Sequence, residues 1–300
     1  MNSLKNPETG WVLPSHRLSI DDAEITRRLG AVNEACELLH GGLANCNVKI
    51  GKDKVLRIYQ REPAAAHREA QLLSRPWSRL RVPRVLQEGP DFLLLEYVPH
   101  APIQAGSAHG AALGAALAEI HASPCAQAGF FDQELQVTVP FPGGMLEFFT
   151  RHALELIASP ALEAHAHLRG PLEHFYQRHG ARLAAQASTS CLLHGDFKAS
   201  NLHWTESGLP LVLDWEFAYA GSPWMDLGQM ARFGLKADFA DAFALAYGER
   251  LGRLPKSWLK IATGFDLFNL VELLSLTPDP LSQRAQDLAE WIRRVLTHFE

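Results

Sequence analysis

The stretch Cys191-Leu-Leu-His-Gly-Asp-Phe-Lys-Ala-Ser-Asn-Leu-His-Trp204 decides how this chain is read. A short apolar run enters it, a polar loop carries His194, Asp196, Lys198 and Asn201, and a second apolar run leaves. A turn, Thr205-Glu-Ser-Gly208, leads into Leu209-Pro-Leu-Val-Leu-Asp-Trp-Glu216. Two short strands flanking a turn predict a hairpin. It holds Asp196 and Asn201 at one end and returns Asp214 to that end. A carboxylate, an amide oxygen and a second carboxylate within reach of one another are what a magnesium–phosphate site requires.

The rest of the composition sets bounds. Three hundred residues suffice for one large or two modest domains with a proper core. An apolar content of 47% with 20% charged residues is ordinary for a soluble globular protein. Apolar runs such as Phe92–Leu95 are too short to span a membrane, and Met1-Asn-Ser-Leu-Lys-Asn-Pro7 lacks the apolar core of a signal peptide. Cys36, Cys46, Cys125 and Cys191 show no paired spacing. They read as reduced thiols of a cytoplasmic protein, with no zinc site. The net charge of −5 divides unevenly: residues to Val98 carry +2 and those from Pro99 onward carry −7. No basic nucleic-acid face is indicated, and an acidic second half is compatible with a cationic small-molecule partner.

Upstream, residues 19–39 read as helix, with Ser19 as cap and Asp21, Asp22 and Glu24 in the first turn. Strand, Gly loop, strand, turn and strand then follow from Leu38 to Tyr59. Gly41-Gly42 admits two readings, a plain turn or a loop whose backbone approaches nucleotide phosphates. Arg57 sits between Leu56 and Ile58 on the third strand, and Glu69 lies on the helix expected over 63–73. A strand cation paired with a helix carboxylate is how kinases fix the group holding the α- and β-phosphates, and a guanidinium can serve through its bidentate fork. Two more strands, Arg84–Gln87 and Asp91–Val98, end at Pro99-His-Ala-Pro102, which breaks the sheet. The domain boundary falls there. Residues 1–98 form a five-stranded sheet with one or two helices, residues 99–300 are mostly helical, and the class is α+β. Glu96 to Val98 forms a hinge offering backbone groups to a flat base.

Downstream, Ser107–Ala122 is rich in Ala and Leu and predicts a buried helix ending in a packed, hydrogen-bonded His121. Phe130–Gly144 reads as an irregular loop, either covering the substrate side or merely connecting. Helices follow at 145–158 and 161–187. His165 and His167 diverge on a helix and predict a solvated face.

The pattern His-Gly-Asp-x-x-x-x-Asn followed by Asp-Trp-Glu resembles the signature of the aminoglycoside phosphotransferase and choline kinase family, and more distantly the protein-kinase catalytic loop. The resemblance extends through Gly41-Gly-Leu-Ala-Asn45, Val55-Leu-Arg-Ile58, Glu69, Leu94-Leu-Glu-Tyr97, Leu117-Ala-Glu-Ile-His121 and Gly221-Ser-Pro-Trp-Met-Asp-Leu-Gly228, roughly residues 38 to 233. It implies a protein-kinase-like fold of two lobes, a nucleotide-binding lobe over 1–98 and a catalytic, acceptor-binding lobe over 99–300. Asp214 and Asp226 are only twelve residues apart, leaving no room for an activation segment, and Ala-Pro-Glu is missing. A small-molecule kinase is therefore expected rather than a protein kinase, with a silent nucleotide-binding pseudokinase as the other alternative.

The same resemblance implies the roles. Asp196 accepts or orients the proton of the acceptor hydroxyl as it attacks the γ-phosphorus. Asn201 and Asp214 hold Mg2+, Lys198 neutralises the γ-phosphate, and Gly41, Gly42, Asn45, Arg57, Glu69, Glu96 and Val98 surround ATP or GTP. His194 braces the loop, Asp226 caps the next helix and ties the loop down, and Glu216 either joins a second metal or is structural. For the acceptor, the sequence offers Asp266, Asn269 and Glu272, spaced i, i+3, i+6 on a helix over 258–275. Their alternatives are a pocket wall or a solvated stripe.

Overall fold

The structure is a computed structural model that describes Leu4 and residues 22–39, 45–232 and 234–300. Helix α1 (Asp22–Leu29) stops at Gly30, which has φ +76° and donates its N–H to the Thr26 carbonyl at 2.8 Å. The helix expected over 19–39 is thus cut short, and residues 19–21 lie outside the described residues. Cys36–Leu39 is instead strand β1, pairing antiparallel with β2 (Asn45–Ile50). Strand β3 (Lys54–Tyr59), helix α2 (Ala65–Leu73), β4 (Val85–Glu88) and β5 (Phe92–Glu96) complete an antiparallel sheet of order β1-β2-β3-β5-β4. Alternation along β3 sorts its side chains. Leu56 and Ile58 pack with Ile25 of α1, while Arg57 and Tyr59 turn toward Glu69 of α2.

The Pro99–Pro102 break leaves this sheet but does not end pairing. His100–Pro102 is β6, which joins the hairpin of β9 (Leu202–Thr205) and β10 (Pro210–Val212) in the order β10-β9-β6. The hairpin predicted from the opening stretch is therefore present. Before it comes helix α3 (Ser107–His121), then β7 (Gly129–Phe130), α4 (Met145–Ala158) and α5 (Arg169–Gln186). Strand β8 (Cys191–Leu193) pairs with β11 (Tyr219–Gly221), which also pairs with β7. Helices α6 (Trp224–Ala231), α7 (Ala237–Leu251), α8 (Trp258–Ser275) and α9 (Gln283–Phe299) finish the chain. No helix among the described residues is long and apolar enough to cross a membrane.

The single helix expected over 161–187 is two elements. Pro160–Leu168 is a 3₁₀ segment with non-helical Leu162 (φ −107°, ψ 15°) and His165 (φ −114°, ψ 24°), and α5 begins at Arg169. Pro171 falls in the first turn of α5, where its missing N–H would have no intrahelical partner in any case.

Helices α3 and α7 approach closely through glycine. A Cβ on Gly110 would lie 2.4 Å from the Phe239 carbonyl oxygen, and one on Gly114 would lie 2.2 Å from that of Phe243. Backbone cannot yield as a side-chain tip can. Gly114→Ala is therefore expected to destabilise the fold by about 1–3 kcal/mol, seen as a lower thermal midpoint. An unchanged melt would refute this packing account.

Candidate active site

Strand β8 ends at a buried Leu193 and releases the loop 194–201. Gly195 is required there: its φ is +79°, and a Cβ would stand 2.1 Å from the Phe217 carbonyl oxygen. Asp226 is fully buried in the first turn of α6, and its carboxylate accepts from the N–H of His194 (2.8 Å) and of Gly195 (2.9 Å). The same carboxylate accepts from His121 Nε2 at 3.1 Å, and His121 Nδ1 takes the Tyr247 hydroxyl at 2.9 Å. His121 is thus a satisfied core histidine. The capping role expected of Asp226 is not seen: α6 opens at Pro223 with no side-chain cap. Its carboxylate serves the loop and His121 instead.

Backbone contacts take both nitrogens of His194. The Asp196 N–H donates to Nδ1 (3.2 Å) and Nε2 donates to the Leu213 carbonyl (3.0 Å), so the ring braces the loop against β10. Asn201 turns its Nδ2 onto Asp196, to the carbonyl at 2.9 Å and to Oδ2 at 2.8 Å. The Lys198 ammonium lies 3.3 Å from Asp196 Oδ1. The Leu213 N–H donates to the Asn201 carbonyl at 3.0 Å. This contact brings Asp214, with φ +69°, back beside the loop. An aspartate is one of the few residues that adopts this conformation at modest cost.

Arg57 reaches the same point from β3. Its guanidinium pairs with Asp214, with Glu69 at 3.2 Å and with Glu216 at 3.5 Å. Glu69, on α2, also accepts from the Tyr59 hydroxyl and from the Trp215 N–H at 3.2 Å. Burial alone would raise the Asp214 carboxyl, but the Arg57 guanidinium, through charge and hydrogen bond, draws it below its ordinary value. Glu216 goes the other way: burial and the Asp214 charge push its carboxyl up to about 7 against the pull of Arg57. Trp215 fills the space between, stacked on Trp77 with ring centroids 5.2 Å apart.

The expected nucleotide residues are placed unevenly. Asn45, opening β2 opposite Tyr59, is buried. Gly41 and Gly42 lie outside the described residues. Glu96 belongs to the sheet, with its N–H on the Arg84 carbonyl (2.9 Å) and its carboxylate on Arg81. Val98 lies past the sheet and accepts from His100 Nδ1 at 2.7 Å.

The acceptor stripe is corrected in part. Asp266 is 1% exposed, and its two oxygens accept from Arg232 Nε and Nη2, each at 2.8 Å. Asn269 Nδ2 adds a bond to Asp266 Oδ1 at 3.2 Å, while Glu272 is exposed. Asp266 therefore ties α8 to the end of α6 rather than lining an open pocket, because Arg232, one residue past α6, fills the space opposite it, and Asn269 braces Asp266 from the same helix. Asp266→Ala is expected to cost about 3–5 kcal/mol by removing the carboxylate from a buried, bidentate ion pair. A thermal melt reads this. A variant of wild-type stability with only a raised acceptor KM would restore the pocket role.

Gln229, one turn beyond Asp226, went unread in the sequence. Its carboxamide accepts from the Phe197 N–H at 2.7 Å and donates to the Gly195 carbonyl at 2.6 Å. The i, i+3 spacing from Asp226 is the one local sign that it shares that face.

Comparison with known proteins agrees with this geometry. The model of the phosphotransferase enzyme family matches residues 35–261. A protein of Lactiplantibacillus plantarum named "Probable ketoamine kinase" is 27% identical over 179 residues, 56% of this chain and 62% of that one. This chain thus spans less than two thirds of that relative. The streptomycin–ATP ternary complex of APH(2'')-IIa superposes with TM-score 0.64 at 17% identity, covering 93% of this chain and 97% of that one. A choline/ethanolamine kinase family protein from Mesorhizobium loti gives 0.62 at 21%, covering 91% and 94%. The overall fold is shared with these structures.

Proposed function

The chain belongs to the phosphotransferase enzyme family, and from that we propose that it moves the γ-phosphate of ATP or GTP to a hydroxyl of a small molecule. One observation carries the reading: Asp196, Asn201 and Asp214 converge with the Arg57–Glu69 pair although more than a hundred residues separate the two groups in sequence. Residues 1–98 then supply the nucleotide side and residues 99–300 the catalytic loop and acceptor side.

In this reading the Asp196 carboxylate accepts the hydroxyl proton as the acceptor oxygen bonds to the γ-phosphorus. The bond from phosphorus to the β–γ bridging oxygen breaks, and the nucleoside diphosphate leaves. Lys198, paired with Asp196, neutralises charge on the transferring group. Arg57, held by Glu69, faces the α- and β-phosphates. The donor set fits Mg2+: Asn201 points its N–H group at Asp196, which leaves its amide oxygen for a hard cation, and Asp214 is ionised by Arg57. When bound, the metal supplies charge neutralisation across the phosphates. The described cysteines are free thiols, which supports a cytoplasmic location.

The ketoamine kinase relative sets the first acceptors to test. Transfer of label from ATP and from GTP is measured across ketoamines, aminoglycosides, choline, amino alcohols and sugars. At least one should become labelled, and Asp196→Ala should lower that labelling by at least about a hundredfold. ATP binding without transfer to any acceptor would overturn the reading in favour of a silent nucleotide binder.

A further inference from the structure

We infer that Gln229 is a positioning residue for the Asp196 carboxylate. It fixes the backbone on both sides of that residue from helix α6. The inference rests on the phosphotransferase reading for its kinetic consequence, but its structural part stands on the hydrogen bonds alone.

Two peptide planes flank the Asp196 Cα, and they carry four polar groups in all. Each of the four has a partner. The Asp196 N–H donates to His194 Nδ1 (3.2 Å), and the Asp196 carbonyl accepts from Asn201 Nδ2 (2.9 Å) and from the Lys198 N–H (2.9 Å). The remaining two, the Gly195 carbonyl and the Phe197 N–H, both go to Gln229. One carboxamide therefore holds one group of each plane, which pins φ and ψ of Asp196 together. Only the side-chain torsions stay free, and Asn201 and Lys198 hold the carboxylate itself.

The task selects the residue type. It needs a donor and an acceptor side by side at the reach of two methylenes, and Gln supplies both. Gln229 is 5% exposed, so water does not stand in readily for a lost bond. The helix that presents it is itself fixed. A Cβ on Gly228 would meet the Ala262 carbonyl oxygen at 2.5 Å, so α6 lies close on α8, and the Arg232–Asp266 pair locks the contact one residue past the helix end. Asp226 and Gln229 thus seat the loop as two neighbouring anchors. Asp226 serves the loop before the carboxylate, and Gln229 serves it across the carboxylate.

Two variants separate this role from general packing. Gln229→Met keeps the volume and removes both bonds. Gln229→Glu keeps the acceptor for Phe197 N–H but sets an oxygen against the Gly195 carbonyl. Amide hydrogen exchange on the full chain is the first measurement and needs no acceptor. In Gln229→Met the Phe197 amide should exchange at least about tenfold faster with α8 unchanged, whereas Gln229→Glu should keep much of its protection. Phe197 exchange unchanged in Gln229→Met would overturn the inference.

Turnover is the second measurement, on the acceptor that the wild type labels fastest. Both variants should lose roughly a hundredfold in kcat, the cost of a reacting group displaced by about 1 Å. The KM for ATP should stay within about twofold. In an Asp196→Asn background the further loss should vanish, because the two residues act through one another. Active wild type with unchanged kcat in both variants would overturn the positioning role alone. A wild type without Asp196-dependent transfer would overturn the functional reading, and the kinetic half of this inference with it, while the exchange result would stand.

Discussion

Asp196→Ala should lower phosphate transfer by about 10²–10⁴-fold while ATP still binds. The lower bound is the ordinary contribution of a general base, and positioning of the acceptor adds to it. Asp196 is the carboxylate of the loop that both Asn201 and Lys198 address, at 2.8 Å and 3.3 Å. Truncating it removes the proposed proton acceptor but leaves the Arg57–Glu69 pair and Asp214 in place. The Asn201 amide also keeps its bond to the residue 196 carbonyl, so the geometry of the proposed metal side survives. Single-turnover transfer and calorimetric ATP binding read the two halves separately. Near wild-type transfer would remove Asp196 from the mechanism. Loss of ATP binding equal to the loss of rate would assign it to the nucleotide site instead.

Asp226→Ala should destabilise the protein by about 3–5 kcal/mol, the penalty for breaking a buried, multiply bonded charge. Its carboxylate answers two loop N–H groups and the His121 ring with no access to water. Removing it orphans three donors, and His121 then keeps only the Tyr247 hydroxyl. Asp226→Asn retains one acceptor oxygen and should fall between the two. Urea unfolding gives the value directly, as a lower midpoint at unchanged slope. Transfer should drop with it, since the backbone ahead of Asp196 loses its anchor. A variant that unfolds with the wild type would show that the loop holds itself.

Much of the architecture could be read from local pattern. Helices over 107–121, 145–158 and 258–275 appear where apolar spacing and flanking breakers place them, and the hairpin at 202–212 follows its turn. The helix expected over 19–39 stops at Gly30, whose φ is positive, and the one expected over 161–187 divides into a 3₁₀ segment and α5, with non-helical backbone at Leu162 and His165. Likewise His100–Pro102, a break by its prolines, pairs with a strand more than a hundred residues away.

The site divides along the same line. Asp196, Lys198, Asn201 and Asp214 lie within one loop and hairpin, so covalent spacing alone brought them together. The sequence by itself therefore determined which polar side chains share the loop, and the α+β class. What answers a buried charge is settled by whichever element packs opposite, and no local spacing records that. Tertiary structure alone decided that Arg57 serves three carboxylates at once, and that Asp266 belongs to Arg232. It also decided that Asp226 faces the loop instead of its own helix, and that Gln229 closes the bonds around Asp196.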